Sequence, residues 1–256
     1  MKQALTFLGT GTSTGVPQLG CSCRVCTSTD PKDKRLRASA LIEYNGKNII
    51  IDCGPDFYVQ MLRYNQRANL DAALITHIHY DHVGGADDLR PYCKNSGFPF
   101  YCTADVSKGL HEHIPYCFAE HPYPGVPHFD ERIINWYSPF TLFGLEIMPL
   151  KIMHAALPIT GYKIGDKLAY ITDAKTIPEE TLSQISGIDT LVLNALRIEP
   201  HHSHLDLDSA LQIVRKVAPR RTFFIHLSHH MGTHAEASRL LPENVFFAYD
   251  GLQIEI

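Results

Sequence analysis

The run Thr76-His77-Ile78-His79-Tyr80-Asp81-His82-Val83-Gly84-Gly85 places three histidines and one carboxylate within six positions. Imidazole nitrogens and carboxylate oxygens are ligands that Zn, Mn and Fe accept. On an extended segment alternate side chains share a side, so His77 and His79 can hold one ion. Once the chain turns, Asp81 and His82 can reach a second, and Gly84 and Gly85 allow the backbone to turn tightly and pack close. A polar surface loop explains single histidines, but not an aspartate set among three of them at these offsets.

Two ions need more ligands than this loop supplies. Candidates stand where apolar strand-like runs end: His154 after LEIMPLKIM, Asp173 after LAYIT and His226 after TFFI. Sites in layered α/β folds gather residues from several strand ends in this way. A second cluster, Cys21-Ser-Cys23-Arg-Val-Cys26, holds three of the seven cysteines. In a reducing compartment such spacing reads as metal binding sooner than as disulfides. Three thiolates and one imidazole make a closed tetrahedral zinc site, and both His229 and His230 are of the right type to complete it. Cys53, Cys93, Cys102 and Cys117 lack metal spacing and read as small core residues. Gly9, Gly11 and Gly15 follow a strand but do not fit a nucleotide-binding loop. They are expected to form a tight turn beneath the site, with backbone amides near a substrate phosphate.

These residues must be positioned by a frame of strands and helices. Residues 4–9 read as an opening strand. Residues 39–44 and 48–52 read as a hairpin about Asn45-Gly46. A helix is expected over 57–64, a buried strand over 72–76 leading into the histidines, and another helix from near Asp87. Further strands are expected at 145–152, 168–172, 190–193, 221–225 and 245–249. Helices fall at 178–185 and 206–217, the latter opening on an Asp cap. The stretch 105–140, rich in Pro, His and aromatics from His111 on, has no clean period and reads as a lid or a dimer arm. His111, His113, His121 and His128 within it read as solvated. Many strands with fewer helices indicate a layered α/β domain.

The chain has 256 residues, enough for one large domain, with 45% hydrophobic and 20% charged residues. No apolar run approaches the roughly 20 residues of a membrane helix, and the N-terminus MKQALTFLGTG is too polar for a signal peptide. A cytoplasmic location is expected. Net charge is −4 with Lys and Arg dispersed, which weighs against a nucleic-acid substrate.

The histidine loop with its later His, Asp and His resembles the metallo-β-lactamase superfamily, from Phe7-Leu8-Gly9-Thr10-Gly11 to His226. The resemblance implies an α/β fold, a four-layer αββα sandwich, as one hydrolase domain over 1–256 with a dinuclear site at one edge. It implies that His77, His79 and His154 hold one metal, that Asp81, His82 and His226 hold the other, and that Asp173 bridges them. Asp52-Cys53-Gly54 is similar to the family's early Asp-x-Gly element, which supports the site loop. More narrowly, GTGTSTGVPQLGCSCRVC resembles the N-terminus of the phosphoribosyl 1,2-cyclic phosphate phosphodiesterases of phosphonate breakdown. That group implies a structural zinc on Cys21, Cys23, Cys26 and His229 within a loop over 9–38, tying it to the segment of His226. It further implies Mn or Zn in the catalytic pair, a homodimer, and a proton-shuttle role for His204 before Asp206-Leu207.

The expected reaction follows. Two ions roughly 3.5–4 Å apart clamp a phosphodiester and lower the pKa of a bridging water. The hydroxide, oriented by Asp173 and Asp81, attacks phosphorus in line, and the ions offset the growing charge. His204 as imidazolium protonates the leaving alkoxide, a contribution of about 10²–10⁴-fold. A small cyclic phosphate such as phosphoribosyl 1,2-cyclic phosphate is the expected substrate. The alternatives are a tRNA 3′-processing nuclease, a thioester or lactam hydrolase, and a metal-stabilised binding protein without turnover.

Overall fold

A computed structural model describes residues 3–64, 69–93, 96–121 and 123–256. The first six strands are β1 (Ala4–Gly9), β2 (Ser39–Tyr44), β3 (Lys47–Ile51), β4 (Ala72–Leu74), β5 (Phe98–Cys102) and β6 (Phe129–Ile133). Then come β7 (Phe140–Leu142), β8 (Leu145–His154), β9 (Leu157–Ile164), β10 (Leu168–Ile171), β11 (Thr190–Asn194), β12 (Arg221–Ile225), β13 (Val245–Phe247) and β14 (Gln253–Glu255). They form two seven-stranded sheets, in the orders β14-β1-β2-β3-β4-β5-β6 and β13-β12-β11-β10-β9-β8-β7. Each sheet joins an antiparallel half to a parallel one.

The unbroken apolar runs have a simple cause. Successive side chains of a strand face opposite ways, and here both faces of each sheet are covered. Ile49 and Ile51 point into the core between the sheets, with Leu5, Phe7, Tyr162, Tyr170, Val192 and Ile225. Ile50 points outward, to a core completed by the helices α1 (Phe57–Tyr64), which contributes Phe57 and Met61, and, beyond the short α2 (Tyr80–Val83), α3 (Ala104–His113), which contributes Val106 and Leu110. On the second sheet, Leu191 and Leu193 point out against α4 (Glu179–Gln184) and α5 (Leu207–Val217) through Leu182, Ala210 and Val217. A last helix, α6 (His234–Ala237), is held by a capping box between Thr233 and Glu236. The result is the expected four-layer αββα sandwich.

Local expectations fare unevenly. Asn45 and Gly46 both have positive φ, 50° and 75°, and close the β2–β3 hairpin with Tyr44 paired to Lys47, as a mirror-image two-residue turn requires. Asp206 caps α5 by accepting from Ser209 N–H at 2.9 Å. The helix expected from Asp87 is instead a 3-10 segment over Ala86–Tyr92 with Pro91 inside it, since proline has no N–H and clashes with a preceding α-helical carbonyl. The stretch 105–140, expected as a lid or a dimer arm, carries regular elements. Apart from residue 122, which lies outside the described residues, it supplies most of α3 and the edge strand β6, parallel to β5. Only Phe129 of β6 is buried. Its charges belong to a sheet edge, and they hid the strand. Strands β5 and β9 were also missed, because Pro99, Pro158 and Gly161 interrupt them. Among the described residues no helix is long and apolar enough to cross a membrane.

Candidate metal centre

The strands end together at one edge of the sandwich, and the polar residues that close them meet there. His77 follows β4, His154 is the last residue of β8, Asp173 follows β10, and His226 follows β12 directly. His79 is the N-cap of α2, which carries Asp81 and His82. Close packing places the loop: a Cβ on Gly54 would stand 2.0 Å from the Asp81 carbonyl oxygen, and one on Gly85 2.2 Å from that of Gly54. Asp52, Asp173 and His226 hold left-handed backbone, with φ of 61°, 57° and 56°. Such conformations persist in non-glycine residues only where the surroundings impose them.

Asp173 is the centre. Its Oδ1 lies 3.4 Å from His82 Nε2, and its Oδ2 lies 3.2 Å from His226 Nε2, 3.9 Å from His204 Nδ1 and 4.0 Å from His77 Nε2. Asp81 Oδ2 is 3.3 Å from His82 Nε2 and 3.7 Å from His226 Nε2. His77 Nε2 meets His79 Nδ1 at 3.0 Å, and the His154 ring lies 5.2 Å from that of His79 and 4.6 Å from that of His204. All seven expected ligands and His204 are thus brought together.

Neighbouring groups fix the tautomers. His82 Nδ1 donates to Asp52 Oδ2 at 2.7 Å, and His154 Nδ1 donates to the Ser203 carbonyl at 2.8 Å. Thr76 Oγ1 donates to Asp52 Oδ2 at 2.8 Å, so it accepts from His77 Nδ1 at 3.0 Å. Each ring therefore turns its Nε2 inward, as metal-ligating histidines do when the other nitrogen is held. His82 Nε2, both ring nitrogens of His226 and His204 Nδ1 are buried with no hydrogen-bond partner in the protein. A buried unpaired polar atom costs about 1–3 kcal/mol. An all-imidazole and carboxylate donor set aimed at common points fits divalent transition metals.

Burial works against a charged His82, but Asp173 and then Asp52 outweigh it and hold the ring well above the ordinary histidine value, so an ion there would displace its proton. Burial works against ionised Asp173, but the His226, His82 and His77 rings outweigh it and hold the carboxyl well below the usual range. Burial, then His82, keeps His77 neutral. His204 is pushed down to about 3 by burial and by the His226 ring, against Asp173. At neutral pH it is therefore a neutral imidazole and not the expected imidazolium.

The cysteine cluster also closes. His229 Nδ1 lies 3.4 Å from Cys21 Sγ and 3.3 Å from Cys23 Sγ, and with Cys26 all four ligand atoms lie within 4.8 Å of one another. The geometry thus selects His229 over His230. Amide N–H groups of Gln18 and Cys26 point at Cys26 Sγ and Cys23 Sγ, at 3.4 and 3.5 Å. His229 and the Cys26 N–H hold the Cys23 thiol down to about 6, while burial pushes Cys26 up to about 11. This donor set fits a tetrahedral zinc. The loop is tied to the catalytic edge by backbone: Thr12 N–H donates to Leu227 O at 3.1 Å and Leu227 N–H to Thr10 O at 3.0 Å. The amides of Gly11, Thr12 and Gly15 are all spent on backbone carbonyls. These three amides are therefore not offered to a phosphate.

Sequence reasoning missed Asn194. It is fully buried, accepts from Ala174 N–H at 2.7 Å and donates to Ala174 O at 3.0 Å, clamping the residue after Asp173. It closes the apolar run TLVL just as Asp173 closes LAYIT, so the strand-end signal would have found it. Thr76 and the Ser203 carbonyl carry no such mark.

The profile described as the beta-lactamase superfamily domain matches residues 47–227. The chain belongs to the beta-lactamase superfamily. Its fold is that of this family of metallo-hydrolases, whose members use divalent metals, and the clusters above are its candidate metal-binding groups. A crystal structure described as a new diphosphatase from the PhnP family superposes with a TM-score of 0.92 at 37% identity, covering 100% of this chain and 98% of that one. An octanoyltransferase of Porphyromonas gingivalis is 42% identical over 249 residues, 96% of this chain but 50% of the relative. The chain therefore spans about half of that protein's length. The anti-Pycsar protein Apyc1 of Paenibacillus harenae is 29% identical over 201 residues, 73% of this chain and 81% of the relative.

Proposed function

We propose that this chain is a dinuclear metal-dependent phosphohydrolase that cleaves a small substrate at a diesterified phosphorus, with a cyclic phosphate such as phosphoribosyl 1,2-cyclic phosphate as the foremost candidate. The observation that carries this reading is the convergence of imidazole and carboxylate atoms on Asp173, with buried ring nitrogens that have no protein partner. In this reading His77, His79 and His154 would hold one ion, Asp81, His82 and His226 the other, and Asp173 would serve both. When bound, the pair would supply Lewis-acid charge and a water of lowered pKa. Manganese or zinc suits these donors, and zinc suits the four cysteine-loop ligands.

The chain's own residues would do the rest. Asp81 and Asp173 would orient the attacking oxygen. His204, beside Asp173 and within ring contact of His154 and His226, would give a proton to the leaving oxygen. As a neutral ring it needs negative charge beside it before it can become an imidazolium, and an anionic substrate phosphate brings that charge. The Asp52–Thr76–His77 and Asp52–His82 bonds would hold two ligand rings in place.

The diphosphatase of the PhnP family favours a second reading, cleavage of a diphosphate bond. In a diphosphate diester each phosphorus also bears two substituted oxygens, one ester and one bridging, so the same site suits both. The test is a panel on Mn- or Zn-loaded protein: a ribosyl 1,2-cyclic phosphate, a 2′,3′-cyclic nucleotide, an aryl diester, a diphosphate diester, a thioester and a precursor tRNA. Turnover confined to the small phosphate esters and abolished by His79→Ala supports the proposal. Cleavage of the thioester or tRNA alone sinks it.

A further inference from the structure

The ladder between β10 and β11 runs evenly from Leu168 opposite Thr190 to Ile171 opposite Leu193. Two residues further on, Asp173 turns left-handed, with Thr172 Oγ1 donating to its Oδ1 at 2.6 Å. A backbone that turns this way leaves the ladder, and Asn194 stands at the break. Its Oδ1 accepts from Ala174 N–H at 2.7 Å and its Nδ2 donates to Ala174 O at 3.0 Å. This is the reciprocal pair of bonds that two residues exchange in an antiparallel ladder. A side chain has taken over where the main chain ends. An apolar residue here, like the rest of the run TLVL, would leave the buried Ala174 N–H without that acceptor.

Ala174 is also where three segments of the site meet. Its carbonyl accepts from Leu205 N–H at 2.7 Å, one residue past His204. Lys175 N–H, next along the chain, donates to Met153 O at 2.8 Å, one residue before His154. Met153 N–H answers by donating to Thr176 O at 3.0 Å. The continuation of β11 grips the far side: Leu196 N–H donates to Leu205 O at 2.9 Å, and Leu196 O accepts from Ser228 N–H at 2.9 Å, two residues past His226. Asp173, His154 and His204 lie far apart in the sequence, yet their backbones converge on the residue that Asn194 holds.

We infer that Asn194 is a positioning residue: by clamping Ala174 it fixes the Asp173 carboxylate relative to the His154 and His204 rings. Metal retention and turnover then both depend on a side chain whose own hydrogen bonds go to Ala174. The part that concerns His204 rests on the phosphohydrolase reading of this site, whereas the part that concerns Asp173 rests on the metal ligands alone. An outer partner that orients a ligand is typically worth about 10–100-fold in metal affinity. A displacement of about 1 Å at a reacting group can cost about 10²-fold in rate.

The test compares wild type with Asn194→Leu, which keeps the volume and removes both bonds, and Asn194→Asp, which as a neutral buried acid can make both. Manganese affinity is read by chelator competition, zinc content is read beside it, and kcat and KM on an aryl and an alkyl diester are taken at saturating manganese. Asn194→Leu should raise the manganese dissociation constant about 10–100-fold and lower kcat about tenfold or more, with KM and the cysteine-bound zinc little changed. Asn194→Asp should recover part of both losses. A merely loosened fold would shed zinc and manganese together. Unchanged manganese retention in Asn194→Leu, equal loss of both metals, or no recovery in Asn194→Asp overturns the inference. If Asn194→Leu does not fold, Asn194→Asp is followed against wild type across pH. Its relative manganese retention should fall as pH rises and the new carboxyl ionises against the Ala174 carbonyl; a constant ratio overturns the clamp. If wild type cleaves no phosphate ester yet Asn194→Leu still loses manganese selectively, the substrate reading falls and the clamp stands.

Discussion

Asp173 and His226 are buried just past strand ends and His82 in the short helix α2, all at the edge of two packed sheets, whereas Cys21 and Cys23 stand half exposed in a loop with no strand and only a three-residue 3-10 turn at Pro31–Asp33. At the catalytic edge, left-handed backbone and fixed tautomers set the donor geometry through the fold itself. In the cysteine loop, the ties are Val16, Val25 and Cys26 packed together, and a buried Arg35 that donates to Thr10 Oγ1 and Ala248 O, both at 2.7 Å. One site is made by the fold. The other would help to make its own fold, since the binding energy of a structural zinc becomes folding energy where no preformed site exists.

The contrast can be broken most sharply at its centre. Asp173→Ala should reduce diester turnover to background and lower the catalytic metal content, with the thermal transition nearly kept; a variant that retains turnover would end the dinuclear reading. Next, His204→Ala should cost about 10²–10⁴-fold in kcat on a diester with an alkoxide leaving group and far less on an aryl diester, whose phenolate needs no proton. Full activity on both would remove His204 from the mechanism. Asp52→Asn should weaken metal retention and activity by about 10–100-fold, because Asp52 accepts from His82, Thr76 Oγ1 and Thr76 N–H. Metal titration of that variant is the direct measurement.

Two smaller effects sharpen the other side. Cys23→Ser should release the structural zinc, speed amide exchange across residues 10–38 and lower Tm by about 2–4 °C per kcal/mol lost, while the edge strands stay protected. Faster exchange at Asp173 to the same degree would mean that the two sites are not separable. The smallest effect concerns pH. Burial, with Arg35 and Lys32 beside it, pushes His234 down to about 4. A depressed folded value means that the neutral ring contributes stability above its ordinary value near 6.5, and that this is lost as pH falls towards 4. Denaturation at pH 7 and 4.5 should show a shallower fall for His234→Gln than for wild type.

Much of this was legible in the residue order. Composition and runs such as Ile49–Ile51 dictate strands covered on both faces, because alternate side chains need apolar partners on each side. Asn45-Gly46 dictates its turn. The histidine loop, and the polar residues closing LEIMPLKIM, LAYIT and TFFI, declare a metal-type site at a strand edge. The tertiary structure alone decided the remainder. Only when β3 and β4 lie side by side do Asp52 and Thr76 reach two ligand rings at once, and only the closed loop brings His229 to the thiols. The charged edge strand β6 was silent because its meaning lies in neighbours far apart in the chain, and local periodicity records no such neighbours.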